Sequence, residues 1–113
     1  MTLDEYFSTG PPHERPVFEA VMRHLETVGP VHVDAVSVGI FLKNPRKFAE
    51  LRPMQRWVAL SFPLRRAVSH RTIVRKVINY GGRYFHVANV AHPGDLDDDL
   101  RGFLTEAYDE ALA

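Results

Sequence analysis

A pair of glycines between two strand-like segments is the feature that most constrains the fold of this 113-residue chain. Gly81 and Gly82 separate residues 73–80 from Arg83–Val90, and both flanking segments are rich in β-branched and aromatic residues. A two-residue glycine loop suits the primed turns of β-hairpins, which need positive φ values. The sequence therefore predicts an antiparallel hairpin. Its register pairs Tyr80 with Arg83, Ile78 with Phe85 and Lys76 with Val87 on one face, and Asn79 with Tyr84, Val77 with His86 and Arg75 with Ala88 on the other.

The rest of the chain supplies helices before the hairpin and after it. Apolar spacing and stop signals predict a short helix over residues 3–8, a second within residues 12–28, and a last helix that begins near Asp95. Alternation of period two begins at Val31 and slips in phase near Ala35–Val36, which predicts a bulge, bend or strand break. Residues 48–51 continue as a strand, and residues 57–62 are apolar on both faces, as in a central strand. We predict an α+β fold: an antiparallel sheet of about five strands, with two N-terminal helices and one C-terminal helix packed on it.

Composition sets the broad class of the protein. The length suits a single domain over residues 1–113. The chain has no cysteine, which excludes disulfides and thiolate chemistry and fits a reducing, cytoplasmic location. The acidic first residues do not resemble a signal peptide, and no segment is long and apolar enough for a membrane span, so no membrane partner is expected. We expect a monomer or a weak homodimer.

Charge is distributed very unevenly along the chain. Residues 43–83 hold eleven of the fourteen Lys and Arg residues and a single acid, Glu50, a local balance of +10. Residues 1–42 carry −4 and residues 84–113 carry −6. Such a basic segment with aromatic residues interleaved is typical of proteins that bind nucleic acid or another polyanion. The candidate anion-binding residues are Arg65, Arg66 and Arg71 in a connecting loop, with Arg52 and Arg56 on sheet surfaces or at strand ends. The alternative is that the acidic helices neutralise these arginines through surface pairs.

A second candidate site follows from the hairpin register. His86 is expected to share a sheet face with Arg75, Tyr84 and Asn79, which could form a small-molecule or enzymatic cup. The alternative is a half-buried histidine that is satisfied by local hydrogen bonds. No histidine pair has metal-ligand spacing, and no nucleophile motif is present, so we expect no metal, no cofactor and no catalytic residue.

Several short runs resemble a known family. They are residues 43–49 (KNPRKFA), residues 83–87 (RYFHV) and residues 95–100 (DLDDDL), together with Asp4-Glu5-Tyr6-Phe7 and a helix that ends at Gly29-Pro30. Over nearly the whole chain the sequence is similar to the bacterial domain-of-unknown-function family 5655. The resemblance implies a bacterial domain that sometimes stands alone and sometimes follows nuclease-like or transport-related regions, and it implies no activity. We therefore expect a small binding or accessory module rather than an enzyme, with a structural protein-interaction domain as a further alternative.

Overall fold

The last hairpin forms around the two glycines. The computed structural model describes residues 1–112. Gly81 and Gly82 have φ values of 59° and 88°, the positive region that the turn requires. The Gly82 N–H donates a 2.9 Å hydrogen bond to Oδ1 of Asn79, a residue of the first strand of the hairpin. This hydrogen bond closes the turn. The pairs Ile78–Phe85, Asn79–Tyr84 and Tyr80–Arg83 form as predicted.

Residues 1–112 fold into three helices and a six-stranded antiparallel sheet, which confirms the α+β class. The helices are α1 (Leu3–Ser8), α2 (Glu14–Leu25) and α3 (Asp98–Glu110), and a 3₁₀ turn covers Pro93–Asp95. The strands are β1 (His32–Val36), β2 (Gly39–Lys43), β3 (Lys47–Pro53), β4 (Val58–Leu64), β5 (Ile78–Tyr80) and β6 (Arg83–Val90). Their order in the sheet is β1-β2-β3-β4-β6-β5, so the strand with two apolar faces, β4, is central as predicted.

The sixth strand comes from the phase slip. The chain reverses after Val36, and Val36 pairs with Gly39 across a tight turn. The slip is therefore a strand break between β1 and β2, one of the outcomes predicted. A Cβ atom on Gly39 would lie 2.3 Å from the carbonyl oxygen of Leu51, so only glycine allows β3 to approach so closely.

The core lies between one face of the sheet and the helices. Leu60 and Phe62 of β4 are buried together with Val21 of α2 and Leu104 of α3. At the N-terminus, the Tyr6 hydroxyl donates to the carboxylate of Glu14, which is fully buried, and so ties α1 to α2. Burial raises the pKa of Glu14, although the hydrogen bond from Tyr6 lowers it in part.

The first strand of the hairpin is much shorter than predicted. β5 begins at Ile78, and the predicted pairs Lys76–Val87, Val77–His86 and Arg75–Ala88 do not form, so that part of the prediction was wrong. The physical reason is that other partners hold the preceding segment. The Asn89 N–H donates a 2.9 Å hydrogen bond to the carbonyl oxygen of Thr72, and His70 Nε2 lies 2.9 Å from both carboxylate oxygens of Asp97.

The start of the last helix also differs from the prediction. Asp97, not Asp95, is the N-cap residue, and its side chain accepts a 2.9 Å hydrogen bond from the Leu100 N–H. Asp95 ends the 3₁₀ turn and accepts from the Ala91 N–H at 2.9 Å. The helix begins later than predicted because the Asp95 carboxylate is hydrogen-bonded to the preceding segment, at Ala91, and so does not cap the helix. Within residues 1–112, no helix has the length and apolar character needed to cross a membrane.

Replacement of Gly81 by valine tests the positive φ of the hairpin turn. A β-branched residue in this backbone region is strained by about 1–3 kcal/mol. We expect Gly81→Val to lower the free energy of unfolding by that amount in urea denaturation. No atom would lie within 4 Å of the new Cβ, so a steric clash would not contribute.

Gly102 in α3 offers a matched control, because it also has open space at its Cβ position and has no positive φ. Gly102→Ala should raise the free energy of unfolding by about 0.5–1 kcal/mol. Equal stability of the Gly81→Val variant and the original protein would contradict the turn assignment.

Candidate functional site

Two of the loop arginines are bound to carboxylates. The Arg66 guanidinium donates two hydrogen bonds of 2.9 Å to the carboxylate of Glu106 in α3. The Arg71 guanidinium donates at 3.0 Å to Asp95. The hydrogen bond from Arg66 lowers the pKa of Glu106 and keeps that carboxyl group ionised. The acidic C-terminal segment therefore neutralises part of the basic loop, which is the alternative that the charge pattern left open.

The other predicted arginines lie in three separate places. Arg65 is exposed beside α3, where its main-chain N–H donates at 2.9 Å to Glu110. Arg52 binds Glu50, which also accepts a 3.0 Å hydrogen bond from Lys47. Arg56 is exposed in the turn between β3 and β4. Arg52 and Arg56 lie near the start of β4, whereas Arg65 and Arg66 follow its other end, so the structure does not bring Arg52, Arg56, Arg65, Arg66 and Arg71 together into one surface.

His86 lies in the core and not in an open cup. Its imidazole has no exposed surface, and its ring stacks on Phe62 with centroids 5.1 Å apart. Nε2 accepts a 3.0 Å hydrogen bond from the Val68 N–H, and Nδ1 lies 3.4 Å from the carbonyl oxygen of Phe62. These partners require a neutral ring with the proton on Nδ1, because a main-chain N–H can only donate and a carbonyl can only accept.

The other members of the predicted cup do not surround the His86 ring. Arg75 is exposed and precedes β5, so it does not share the sheet face of His86. Asn79 is engaged in the hairpin turn, opposite the half-buried Tyr84. Of the two interpretations of His86, the structure supports the locally satisfied histidine.

Among residues 1–112, no helix covers the opposite face of the sheet, which is called the open face here. Register places Phe41, Glu50, Ser61 and Val87 side by side across four strands of this face. Along β6, Arg83, Phe85, Val87 and Asn89 alternate with the buried His86, Ala88 and Val90, so they project away from the core.

Aromatic and cationic side chains meet at one end of the open face. Phe85 is 36% exposed and Tyr80 is 69% exposed, and their rings lie 5.8 Å apart at an interplanar angle of 73°. The Arg83 guanidinium lies 5.5 Å from the centroid of Phe85, and Lys47 Nζ lies 4.6 Å from that of Phe41. These distances are within the range of cation–π contacts.

A depression of about 430 Å³ lies between these side chains and the middle of the sheet. Its polar and aromatic lining comes from Lys47, Glu50, Ser61, Arg83 and Phe85. Burial raises the pKa of Glu50, but the hydrogen bonds from Lys47 and Arg52 outweigh burial and leave the pKa lowered. Glu50 therefore stays ionised, and Arg83 makes no ion pair with any carboxylate of residues 1–112.

Sequence reasoning missed Lys47, Phe41, Phe85 and Arg83 as a group. The hairpin register did place Phe85 with Ile78 and Tyr80 on a mostly apolar face. It did not show that this face is the exposed one, which depends on the pairing of β6 with β4. Arg83 and Lys76, the two cations that the predicted register puts on that face, were the signals in the sequence that the face meets solvent.

Burial of a neutral His86 makes stability depend on pH. Burial lowers the pKa of His86 below its usual value of about 6.5. Below about pH 6.5 the unfolded chain therefore binds more protons than the folded chain, and the free energy of unfolding falls as pH falls. Urea denaturation at about pH 7.5 and about pH 5.5 tests this. At the higher pH we expect the free energy of unfolding of His86→Asn to be about 1–3 kcal/mol below that of the original protein. Between the two pH values, the free energy of unfolding of the variant should fall less than that of the original protein.

His32→Asn is the matched control, because it makes the same substitution at a histidine that is exposed in β1. A remaining fall in the His86→Asn variant is expected from His24, whose pKa burial also lowers. An identical acid-induced loss in His86→Asn and the original protein would rule out this role for His86.

Comparison with known proteins supports the resemblance found in the sequence. The family model described as Domain of unknown function (DUF5655) matches residues 3–111, nearly the whole chain. Searches of curated proteins and of solved structures found no match. The matched residues include all the helices and strands described above. The chain therefore belongs to the DUF5655 family of domains of unknown function.

Proposed function

We propose that this domain is an accessory module that binds single-stranded nucleic acid on the open face of its sheet. The observation that carries the proposal is the exposed pair Phe85 and Tyr80 beside the cations Arg83 and Lys47. Exposed aromatic rings on a sheet stack with unpaired bases, and nearby Lys and Arg contact the phosphates.

The charge of the open face suits a polyanion. Lys43, Lys47, Arg52 and Arg83 carry four positive charges there, against the two carboxylates Asp34 and Glu50. Arg75 and Lys76 are exposed just before β5 and extend the positive field toward the edge of the sheet. A local excess of positive charge attracts phosphates over several ångströms and raises the rate of association.

A single strand fits this surface better than a duplex. The bases of a duplex are stacked inside the helix, so Phe85 and Tyr80 could reach only its backbone. In an unpaired strand every base has a free π-face, and stacking on one aromatic side chain contributes about 1–3 kcal/mol. The open face can therefore make more contacts with single-stranded DNA or RNA than with a duplex, and it should bind the single strand more tightly.

A protein partner is the competing interpretation of the same surface. Ile78 is 42% exposed beside Phe85 and Tyr80, and apolar patches of this kind also form protein interfaces. The cation–π geometry of Arg83 favours nucleic acid, since an apolar protein partner would have to bury an arginine that has no carboxylate partner in residues 1–112. The bacterial origin and cytoplasmic location expected from the sequence stay predictions.

Anisotropy of a labelled single-stranded oligonucleotide of about 12 nucleotides tests the proposal. We expect binding that weakens steeply from about 50 to about 200 mM salt, because counterions are released on association. Phe85→Ala and Tyr80→Ala should each weaken binding by roughly ten-fold, through lost stacking. Arg83→Ser should reduce the slope of log affinity against log salt by about one.

Arg66→Ser is the matched control, because it removes the same charge from the helix side of the molecule, where Arg66 binds Glu106. Its affinity should match that of the original protein once folding is confirmed by circular dichroism. No binding at about 50 mM salt, or equal binding by the Phe85→Ala variant, would refute the proposal. Preference for a duplex of the same sequence would also count against it.

A further inference from the structure

One edge of the sheet has no partner strand. β1 (His32–Val36) is the first strand of the order β1-β2-β3-β4-β6-β5, and within residues 1–112 it pairs only with β2. No main-chain hydrogen bond from a loop or helix of those residues reaches its other side. Proline, lysine and bulges commonly protect an edge strand from pairing, and β1 has none of them. Its edge is therefore a template for a further strand.

The tight turn after β1 decides which main-chain groups face the free edge. A two-residue turn is flanked by a hydrogen-bonded pair, here Val36 and Gly39, and the two kinds of pair alternate along an antiparallel ladder. Val33 and Ala35 therefore belong to non-hydrogen-bonded pairs of the β1–β2 ladder. Their N–H and C=O groups point away from β2 and toward the free edge, where a further strand can bind them.

An apolar groove lies on the helix side of the same edge. It has a volume of about 370 Å³ and is lined by apolar side chains of α1, α2 and β1, namely Leu3, Phe18, Met22 and Val33. The rest of its lining is charged and exposed. A strand added at the edge would place alternate side chains over this groove, and apolar side chains fit it best.

β1 of a second copy has the side chains that this position needs. Val31, Val33 and Ala35 pack toward the helix side of the sheet, and His32 and Asp34 alternate with them on the open face. The apolar set would cover the groove, and the polar pair would stay in contact with solvent. A second copy of this chain is therefore the occupant that fits the edge.

The arrangement of charges selects one register for two antiparallel β1 strands. The main-chain groups allow the two-fold axis to lie at Val33, Asp34 or Ala35. An axis at Asp34 would oppose two carboxylates, which is destabilising. An axis at Ala35 would pair Val33 with Ser37, a residue of the turn. An axis at Val33 instead places His32 opposite Asp34 of the partner subunit twice, and the imidazole can donate a hydrogen bond to the carboxylate.

We propose that two copies of this domain form a homodimer by antiparallel pairing of their β1 strands about a two-fold axis at Val33. Val31 then pairs with Ala35 of the partner subunit, and the sheet continues through six strands from each copy. The two open faces lie on the same side of the joined sheet, because the axis is perpendicular to it. The interface of one short strand and one groove is small, so the dimer is expected to be weak. The inference does not depend on the binding of nucleic acid.

Sedimentation equilibrium of the whole chain from about 10 μM to about 1 mM tests for the dimer. We expect the average mass to rise from that of the monomer toward that of the dimer. Ala35→Pro removes an N–H that faces the partner and keeps every hydrogen bond to β2, so the fold should be retained. The dimer dissociation constant of this variant should rise at least about ten-fold, because two intermolecular hydrogen bonds are lost.

Ser37→Pro is the matched control, because it introduces the same residue in the turn, outside the paired segment. Its association should equal that of the original protein, once circular dichroism confirms that the variants are folded. A protein that stays monomeric at about 1 mM would overturn the proposal. Equal association by Ala35→Pro and the original protein would overturn it as well.

A single introduced cysteine reports the register, because the chain has none of its own. In the proposed dimer the two Val33 Cα atoms lie about 5.5 Å apart, within the range of a disulfide. The two Ala35 Cα atoms are four residues out of register, about 14 Å apart along the strands. Mild oxidation should therefore link Val33→Cys into a covalent dimer and leave Ala35→Cys monomeric on a non-reducing gel. Cross-linking of Ala35→Cys instead, or of neither variant, would contradict the axis at Val33 and with it the proposal.

Discussion

The pairing of His86 with Phe62 decides how the rest of the structure is arranged. Phe62 faces α3, where its ring lies 6.4 Å from that of Phe103, so its partner in β6 must face the helices as well. His86 then lies under α3 and satisfies the Val68 N–H of the connecting loop, which would otherwise be a buried donor without a partner. The same alternation turns Phe85 outward. One pair of residues thus fixes the core, the loop and the aromatic end of the open face.

The charges of the basic middle segment are balanced differently on the two sides of the sheet. On the helix side, Arg66 and Arg71 meet acids of the C-terminal segment, at Glu106 and Asp95. Exposed pairs of this kind contribute little to stability, about 0–1 kcal/mol, and they lower the net field of that side. On the open face, Lys43, Lys47, Arg52 and Arg83 outnumber the carboxylates Asp34 and Glu50, so part of the positive charge of the middle segment is not balanced there by residues 1–112.

The helices and strands could be predicted from short stretches of sequence, whereas the candidate site depends on contacts between residues far apart in the sequence. Positive φ at Gly81 and Gly82 and the phase slip after Val36 depend on neighbouring residues, so the sequence could indicate them. The shortening of β5 depends on Thr72 meeting Asn89, and the neutralisation of Arg66 depends on Glu106, 40 residues away. No periodicity in the sequence specifies such pairs. The five arginines chosen from charge alone were therefore scattered by the fold, and the open face was identified only when the partner of β6 was known.

Arg83 connects the hairpin to the open face. It is the first residue after the two-residue turn, so the positive φ values of Gly81 and Gly82 fix where its side chain leaves the sheet. Asn79 holds the same turn through the Gly82 N–H, which limits the motion of Arg83 at the end of the strand. A cation on a rigid turn loses less conformational entropy on binding than one on a mobile loop. This is a physical reason for an arginine at a hairpin start to line the proposed binding surface, and it gives β5, the shortest strand of the sheet in residues 1–112, a part in that proposal.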